Sequence, residues 1–232
     1  MGLFDKKFCD ACGDKIGLLG NRRLEDGNLC GGCAKKLSPF FSDRRRSTVA
    51  DIKAQLAYRE ENRKAVASFN ATRSIGLGTR LILDEGNMNA IVAPPGRWRD
   101  GNPDVIGFAA ITGCEVDVSE NRAEERYRDS QGRDVGYDPP RYSYTYDFWM
   151  NIHVSSPYFD LIRFRINGAP VARGGVDYGE CEAIGREMRE ALESARRKAA
   201  EESSAEAVLC PLCGATTIPK AGRCEYCDGP VK

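Results

Sequence analysis

The sequence predicts an α+β chain: an antiparallel β-domain closed by a C-terminal helix and flanked by two small four-cysteine modules. Three observations predict it. Eight of the ten cysteines form four C-x-x-C pairs, two pairs near each end of the 232-residue chain. Residues 75–176 alternate between apolar and polar, the period of a half-buried strand. Residues 177–204 carry one narrow apolar stripe at helical spacing.

Composition sets the outer limits. Hydrophobic residues make up 41% of the chain and charged residues 29%, enough apolar material for a core and too much for wholesale disorder. The 34 Lys+Arg balance the 34 Asp+Glu, which argues against coating of nucleic acid by the whole chain. No apolar run approaches the roughly 20 residues of a membrane-spanning helix. The opening MGLFDKKFCDACG has no apolar core of an export signal, so a cytoplasmic location is expected.

The cysteines point to metal. The first set is Cys9, Cys12, Cys30 and Cys33; the second is Cys210, Cys213, Cys224 and Cys227. A C-x-x-C turn places two thiolates on one side, and two such turns facing each other make a closed tetrahedral shell of four sulfurs. That shell suits Zn²⁺, a d¹⁰ ion with no geometric demand of its own. Gly13 and Gly214 follow the second cysteine of a pair, where the chain must turn through positive φ. Segments this short bury too little to fold unaided, and structural zinc replaces the missing core. Disulfides require an oxidising compartment, and a redox C-x-x-C comes singly in a βαβ setting. Two structural Zn²⁺ ions are therefore expected. Cys114, on an alternating strand, and Cys181, on the helical stripe, read as small buried hydrophobes.

The elements follow in order. Residues 1–46 form the N-terminal module: a knuckle, a hairpin with arms at GLL (17–19) and RLEDGNLC (23–30), and a short helix from Cys33, in a treble-clef-like order. Residues 47–70 read as a connecting helix, capped by Thr48 with Asp51 and charged through its middle. In the β-domain and its closing helix, 71–204, residues 79–95 form a hairpin. A turn of helix is expected from Asn102 to Phe108, and 111–120 is a strand. Residues 121–140 read as a polar exposed loop. In residues 141–155 the even positions, Tyr142 to Val154, are apolar and the odd ones polar, which gives a long half-buried strand. Residues 158–166 return beside it. Cys181, Ile184, Met188, Leu192 and Ala195 form the stripe of the last helix, which is expected to leave the domain after Ala195. Residues 205–232 form a C-terminal zinc ribbon without a helix.

Two resemblances extend this reading. Strands closed by one amphipathic C-terminal helix resemble the pleckstrin-homology-like (PH-like) superfold. The N-terminal stretch resembles an uncharacterised bacterial family of zinc-binding domains. Its pattern is C-x-x-C-G, K-I, a basic-Leu-x-Asp-Gly arm and C-x-x-C, matched here by Cys9, Cys12, Gly13, Lys15, Ile16, Leu24, Asp26, Gly27, Cys30 and Cys33. The resemblance implies metal ligands and a bacterial cytosolic setting, and no reaction.

No enzyme is expected. A four-sulfur zinc leaves no vacant position to activate water. The sequence holds no Gly-rich phosphate loop and no H-E-x-x-H, and its one histidine, His153, has no partner at a telling spacing. The reading is a non-enzymatic adaptor that binds a protein partner through its modules. The alternative is nucleic-acid binding through the basic N-terminal module and Arg44–Arg46. A variant of the adaptor reading is a membrane surface met by Arg163 and Arg165, outward with Trp149 and His153.

Overall fold

The computed structural model describes residues 7–41, 43–205, 207–219 and 222–231. The first six residues, on which the export-signal reading rests, lie outside this set. Strands β1 (Lys7–Phe8) and β2 (Lys15–Ile16) flank the first C-x-x-C. Strands β3 (Arg22–Arg23) and β4 (Asn28–Leu29) form the hairpin. Its first arm is therefore Arg22–Arg23 and not GLL. Gly20 N–H donates to Gly17 O at 3.0 Å, closing residues 17–20 into a turn that carries Leu18 and Leu19 out into solvent. Cys30 then caps helix α1 (Gly31–Lys36).

A 3₁₀ turn (Arg44–Arg46) leads into α2 (Val49–Ser68). Thr48 and Asp51 form the expected reciprocal cap: Asp51 N–H donates to Thr48 Oγ1, and Thr48 N–H to Asp51 Oδ2. Helix α2 is shared by its neighbours. Ile52 is fully buried among Leu24, Leu29 and Leu37 of the N-terminal module. Farther along, Arg59 and Asn62, expected on a charged solvent face, are buried instead. Arg59 donates to Asp104 at 2.7 Å and to the carbonyl of Asn102. Asn62 donates to Pro103 O at 2.8 Å and accepts from Val105 N–H. Ser38 Oγ donates to the other oxygen of Asp104. Phe40 packs on Phe159 and Tyr58 on Tyr158 beside this polar seam.

Strands β5 (Arg73–Ile75), β6 (Arg80–Asp84), β7 (Asn89–Ala93) and β8 (Ile106–Gly107) form one antiparallel sheet in chain order. The expected helical turn from Asn102 to Phe108 is not there. A 3₁₀ turn occupies Trp98–Gly101, Asn102 turns left-handed at φ 48°, and the next residues extend into β8. Pairing with β7 and the grip of Asn62 on Val105 outweigh the local turn signal.

The second sheet contains β9 (Ile111–Glu124) and, after a hairpin of β10 (Arg126–Arg128) and β11 (Asp134–Gly136), β12 (Tyr142–Val154) and β13 (Leu161–Arg165), ordered β13-β12-β9. Residues 121–140 are thus not a plain loop: 121–124 continue β9 opposite Tyr142–Thr145 of β12, and Arg126–Arg128 pair with Asp134–Gly136, extending the two strands as a ribbon. The ribbon has no buried face to give an apolar rhythm. Stacked side chains line it instead: Arg122 lies over Tyr142 at 4.3 Å, Arg141 over Tyr137 at 4.4 Å, and Tyr137 against Tyr127.

Helix α3 (Val176–Ala205) covers the sheets. Cys181, Met188, Leu192 and Ala195 enter one core with Leu81, Leu83 and Phe108 of the first sheet region and Phe148, Met150, Ile152 and Ile162 of the second. The helix does not leave at Ala195: Ala199 is buried in the same core, and Lys198 Nζ donates to Glu85 O at 2.8 Å. Small residues at 195 and 199 are what let α3 lie close. The first sheet also buries its reverse face, Ile82 and Ile91, under Phe69 and Trp98. Strands β14 (Val208–Leu209) and β15 (Thr216–Thr217) belong to the last module, whose Cys210, Cys224 and Val231 form a separate small core. No described helix is long and apolar enough to cross a membrane.

Candidate metal centres

Backbone hydrogen bonds build three of the four C-x-x-C pairs in one way. In each, the N–H of the first cysteine donates to the carbonyl five residues on: Cys9 to Asp14, Cys210 to Ala215, Cys224 to Gly229, all at 2.8–2.9 Å. Its own carbonyl accepts from the residue four on: Gly13, Gly214 and Asp228. That fourth residue sits at φ +79°, +71° and +56° respectively. Glycine meets the left-handed demand at two positions, and Asp228 meets it as one of the side chains that tolerate it. The remaining pair differs. Cys30 is the N-cap of α1, its sulfur accepting from Cys33 N–H at 3.3 Å, and Cys33 lies in the helix.

These turns bring the sulfurs together. Cys9, Cys12, Cys30 and Cys33 form one group and Cys210, Cys213, Cys224 and Cys227 the other, the sulfurs of each within 4.8 Å of one another. Cys12 and Cys30 are 3.8 Å apart, Cys210 and Cys227 3.6 Å, Cys213 and Cys224 3.8 Å. A disulfide needs about 2.05 Å, and all ten cysteines are free thiols. A regular tetrahedron with Zn–S bonds of about 2.3 Å has edges of about 3.8 Å. Both sites therefore fit Zn²⁺.

The electrostatics agree. Burial opposes ionisation of Cys9, yet the N–H groups of Cys30, Cys12 and Ala11 outweigh it and bring its thiol down to about 6. Cys33 is pushed the other way, first by burial and then by the neighbouring Cys12, Cys30 and Cys9 sulfurs. In the second site burial again opposes, but the N–H groups of Tyr226 and Cys227 hold Cys224 at about 6. Cys227 rises to about 12: Gly229 N–H favours its thiolate, and the Cys213 and Cys210 sulfurs prevail against it. Each site thus sets thiols of lowered pKa, Cys9 in the first and Cys210 and Cys224 in the second, against thiols of raised pKa, Cys12 and Cys33 in the first and Cys227 in the second. A divalent ion removes that conflict.

The other singled-out residues are elsewhere. Cys181 is buried in the main core, and Cys114 is half-buried with its thiol 3.9 Å from Arg189 O; burial pushes both thiols up, as suits packing residues rather than nucleophiles. Arg163, Arg165 and His153 share the outer face of the second sheet. Each faces a carboxylate there: Arg163 with Asp117 at 3.0 Å, Arg165 with Asp147 at 3.2 Å, His153 with Glu115 at 3.8 Å. Arg44–Arg46 form an ordered turn that meets Arg22 and Arg23 around a cavity. The sequence keeps these two arginine pairs twenty residues apart, and only the packing of the 3₁₀ turn on β3 joins them.

The profile of a family described as a domain of unknown function (DUF4428) matches residues 7–55. The match spans the whole first cysteine set and ends within α2, just past Ile52. It agrees with the uncharacterised family that the cysteine motif resembles. No curated protein and no solved structure matches the chain.

Proposed function

We propose that the chain is a non-enzymatic adaptor of a bacterial cytoplasm, in which two structural Zn²⁺ ions hold small end modules on either side of a PH-like β-domain. The observation that carries this is the donor set. Four cysteine sulfurs at tetrahedral spacing fill the coordination of zinc and leave no position for water or substrate, so each ion supplies folding energy rather than chemistry. Ten free thiols suit a reducing compartment. A four-strand meander, a three-strand meander and a closing helix, in that order, support the PH-like reading. The four units, 1–46, 47–70, 71–204 and 205–232, leave two metal-held surfaces to meet a protein partner. The balanced outer face of the second sheet gives Arg163 and Arg165 little left over for an anion.

Cobalt substitution tests the donor set. Two Co²⁺ per chain with the absorption of tetrahedral thiolate sites, unchanged by added azide, is expected; a spectrum that shifts with azide reveals an open position and overturns the reading. The adaptor role then requires a purified partner whose complex with the full chain is lost in Cys30→Ser or Cys224→Ser. A partner bound equally well by both variants refutes a role for the end modules.

A further inference from the structure

The exposed turn of the N-terminal module leads directly into a strand whose arginines gather with those of the 3₁₀ turn. Leu18 and Leu19 stand at its tip, 86% and 90% exposed, on the closed turn of residues 17–20. Among the described residues they enter no hydrophobic cluster. Three residues of chain span at most about 11 Å, so Leu19 lies within that distance of Arg22 along the backbone. Arg22 and Arg23 then line a cavity of about 540 Å³ with Arg44 and Arg45. Arg44 reaches Arg23 O at 3.3 Å, which fixes the two segments together. Arg44 and Arg45 also line a second cavity, of about 410 Å³, with Arg46.

Positive charge is in excess here, five arginines against two carboxylates on the two cavities. Among the described residues, none of Arg22, Arg23, Arg44 and Arg45 makes an ion pair. The carboxylates on the two cavities are Glu25 and Asp43, and Asp43 is 3.8 Å from Arg46. Burial, with Arg22 and Arg45 nearby, lowers the pKa of the Arg44 guanidinium, as expected where like charges are held together. A protein that only needed solubility would interleave signs rather than gather one sign around a concavity.

We propose that this face docks on an anionic membrane surface, the Leu18–Leu19 tip entering the lipid interface while Arg22, Arg23, Arg44 and Arg45 hold headgroup phosphates. A nucleic acid would account for the arginines and leave the two leucines unexplained; a lipid surface accounts for both. Apolar side chains backed by arginines are the composition of interfacial anchors, and a short apolar insertion becomes effective when a basic patch adds a second, electrostatic attraction. Guanidinium forks match phosphate geometry. The zinc site sets the platform: Leu29 pairs with Arg22 across the hairpin and Cys30 directly follows it, so the hairpin stands on a metal-braced base.

The test is co-sedimentation of the full, zinc-loaded chain with vesicles of phosphatidylcholine containing about 30 mol% phosphatidylserine, against phosphatidylcholine alone. Binding to the anionic vesicles only, weakening as salt is raised, is expected. Leu18→Ser/Leu19→Ser and Arg22→Gln/Arg23→Gln should each reduce it at least tenfold, with two zinc equivalents retained. Arg22→Lys/Arg23→Lys should keep most of the binding, and Arg163→Gln, on the far sheet, all of it. Absence of binding by the intact chain overturns the proposal. So does binding that survives loss of both leucines, or a duplex DNA that outcompetes the vesicles, since either reduces the face to a general polyanion site.

Discussion

The guanidinium of Arg59 meets the carboxylate of Asp104 at 2.7 Å, and both side chains are closed to water, at 7% and 0% exposure. The pair joins α2 to the loop before β8: Ser38 Oγ donates to Asp104, and Arg59 donates further to the carbonyls of Asn102 and Lys36. Such a pair contributes little against an apolar replacement, yet breaking it strands a buried charge. Arg59→Met alone, or Asp104→Leu alone, should destabilise the protein by about 3–5 kcal/mol. The double variant should lie closer to wild type than either single. Urea unfolding followed by tryptophan fluorescence checks this, and additive losses would show that the two residues do not act as a pair.

Metal removal should be unequal at the two ends. The first site is backed by Leu24, Leu29, Leu37 and Ile52, the second by Val231 and Val208 beside its own cysteines. Elemental analysis should find two zinc ions per chain, and Cys30→Ser or Cys224→Ser should each lose one. Under a chelator, a chromogenic indicator should record two phases of release, the faster absent from Cys224→Ser. Fewer than two ions in carefully purified protein, with the cysteines joined as disulfides, would contradict the assignment.

Acid should release the metal. Cys9 and Cys224 sit at about 6 in the folded chain, below the ordinary thiol value of 9.0. A lowered folded value stabilises the fold above the ordinary pKa and ceases to do so as pH falls through the folded one. Protons compete with zinc for these sulfurs, so zinc retention should fall as pH is lowered below neutral, with a midpoint set by the metal's affinity as well as by the thiols. Equilibrium dialysis across that range measures it; retention unchanged well below pH 5 would contradict the thiolate assignment.

Two glycines of α3 should respond oppositely to added bulk. A Cβ on Gly185 would stand 3.1 Å from Val116 Cγ2 and 3.4 Å from Ile166 Cδ1, whereas one on Gly179 meets nothing within 4 Å. Gly185→Leu should lift α3 from β9 and cost about 1–3 kcal/mol despite better helix propensity. Gly179→Ala should stabilise by about 0.5–1 kcal/mol. Melting temperatures of the two variants give the comparison, and equal shifts would mean that α3 does not pack as described.

The cysteine sets were readable because metal ligation imposes fixed spacing, and the long β12 strand because Phe148, Met150, Ile152 and Val154 share one buried face. The ribbon of residues 121–140 was not, because stacked Arg and Tyr side chains leave no period. Arg59 and Asn62 read as solvated because nothing local distinguishes a buried arginine from an exposed one; only Asp104, 45 residues away, does. Arg23 and Arg44 meet for the same reason, through tertiary contact alone.

Helix α2 is embedded near its start by Ile52 in the metal-braced module and through its middle by Arg59 and Asn62 against the β-domain. The first module and the sheets should consequently melt as a single cooperative body, so a cut placed anywhere within this helix yields two damaged fragments rather than two working halves.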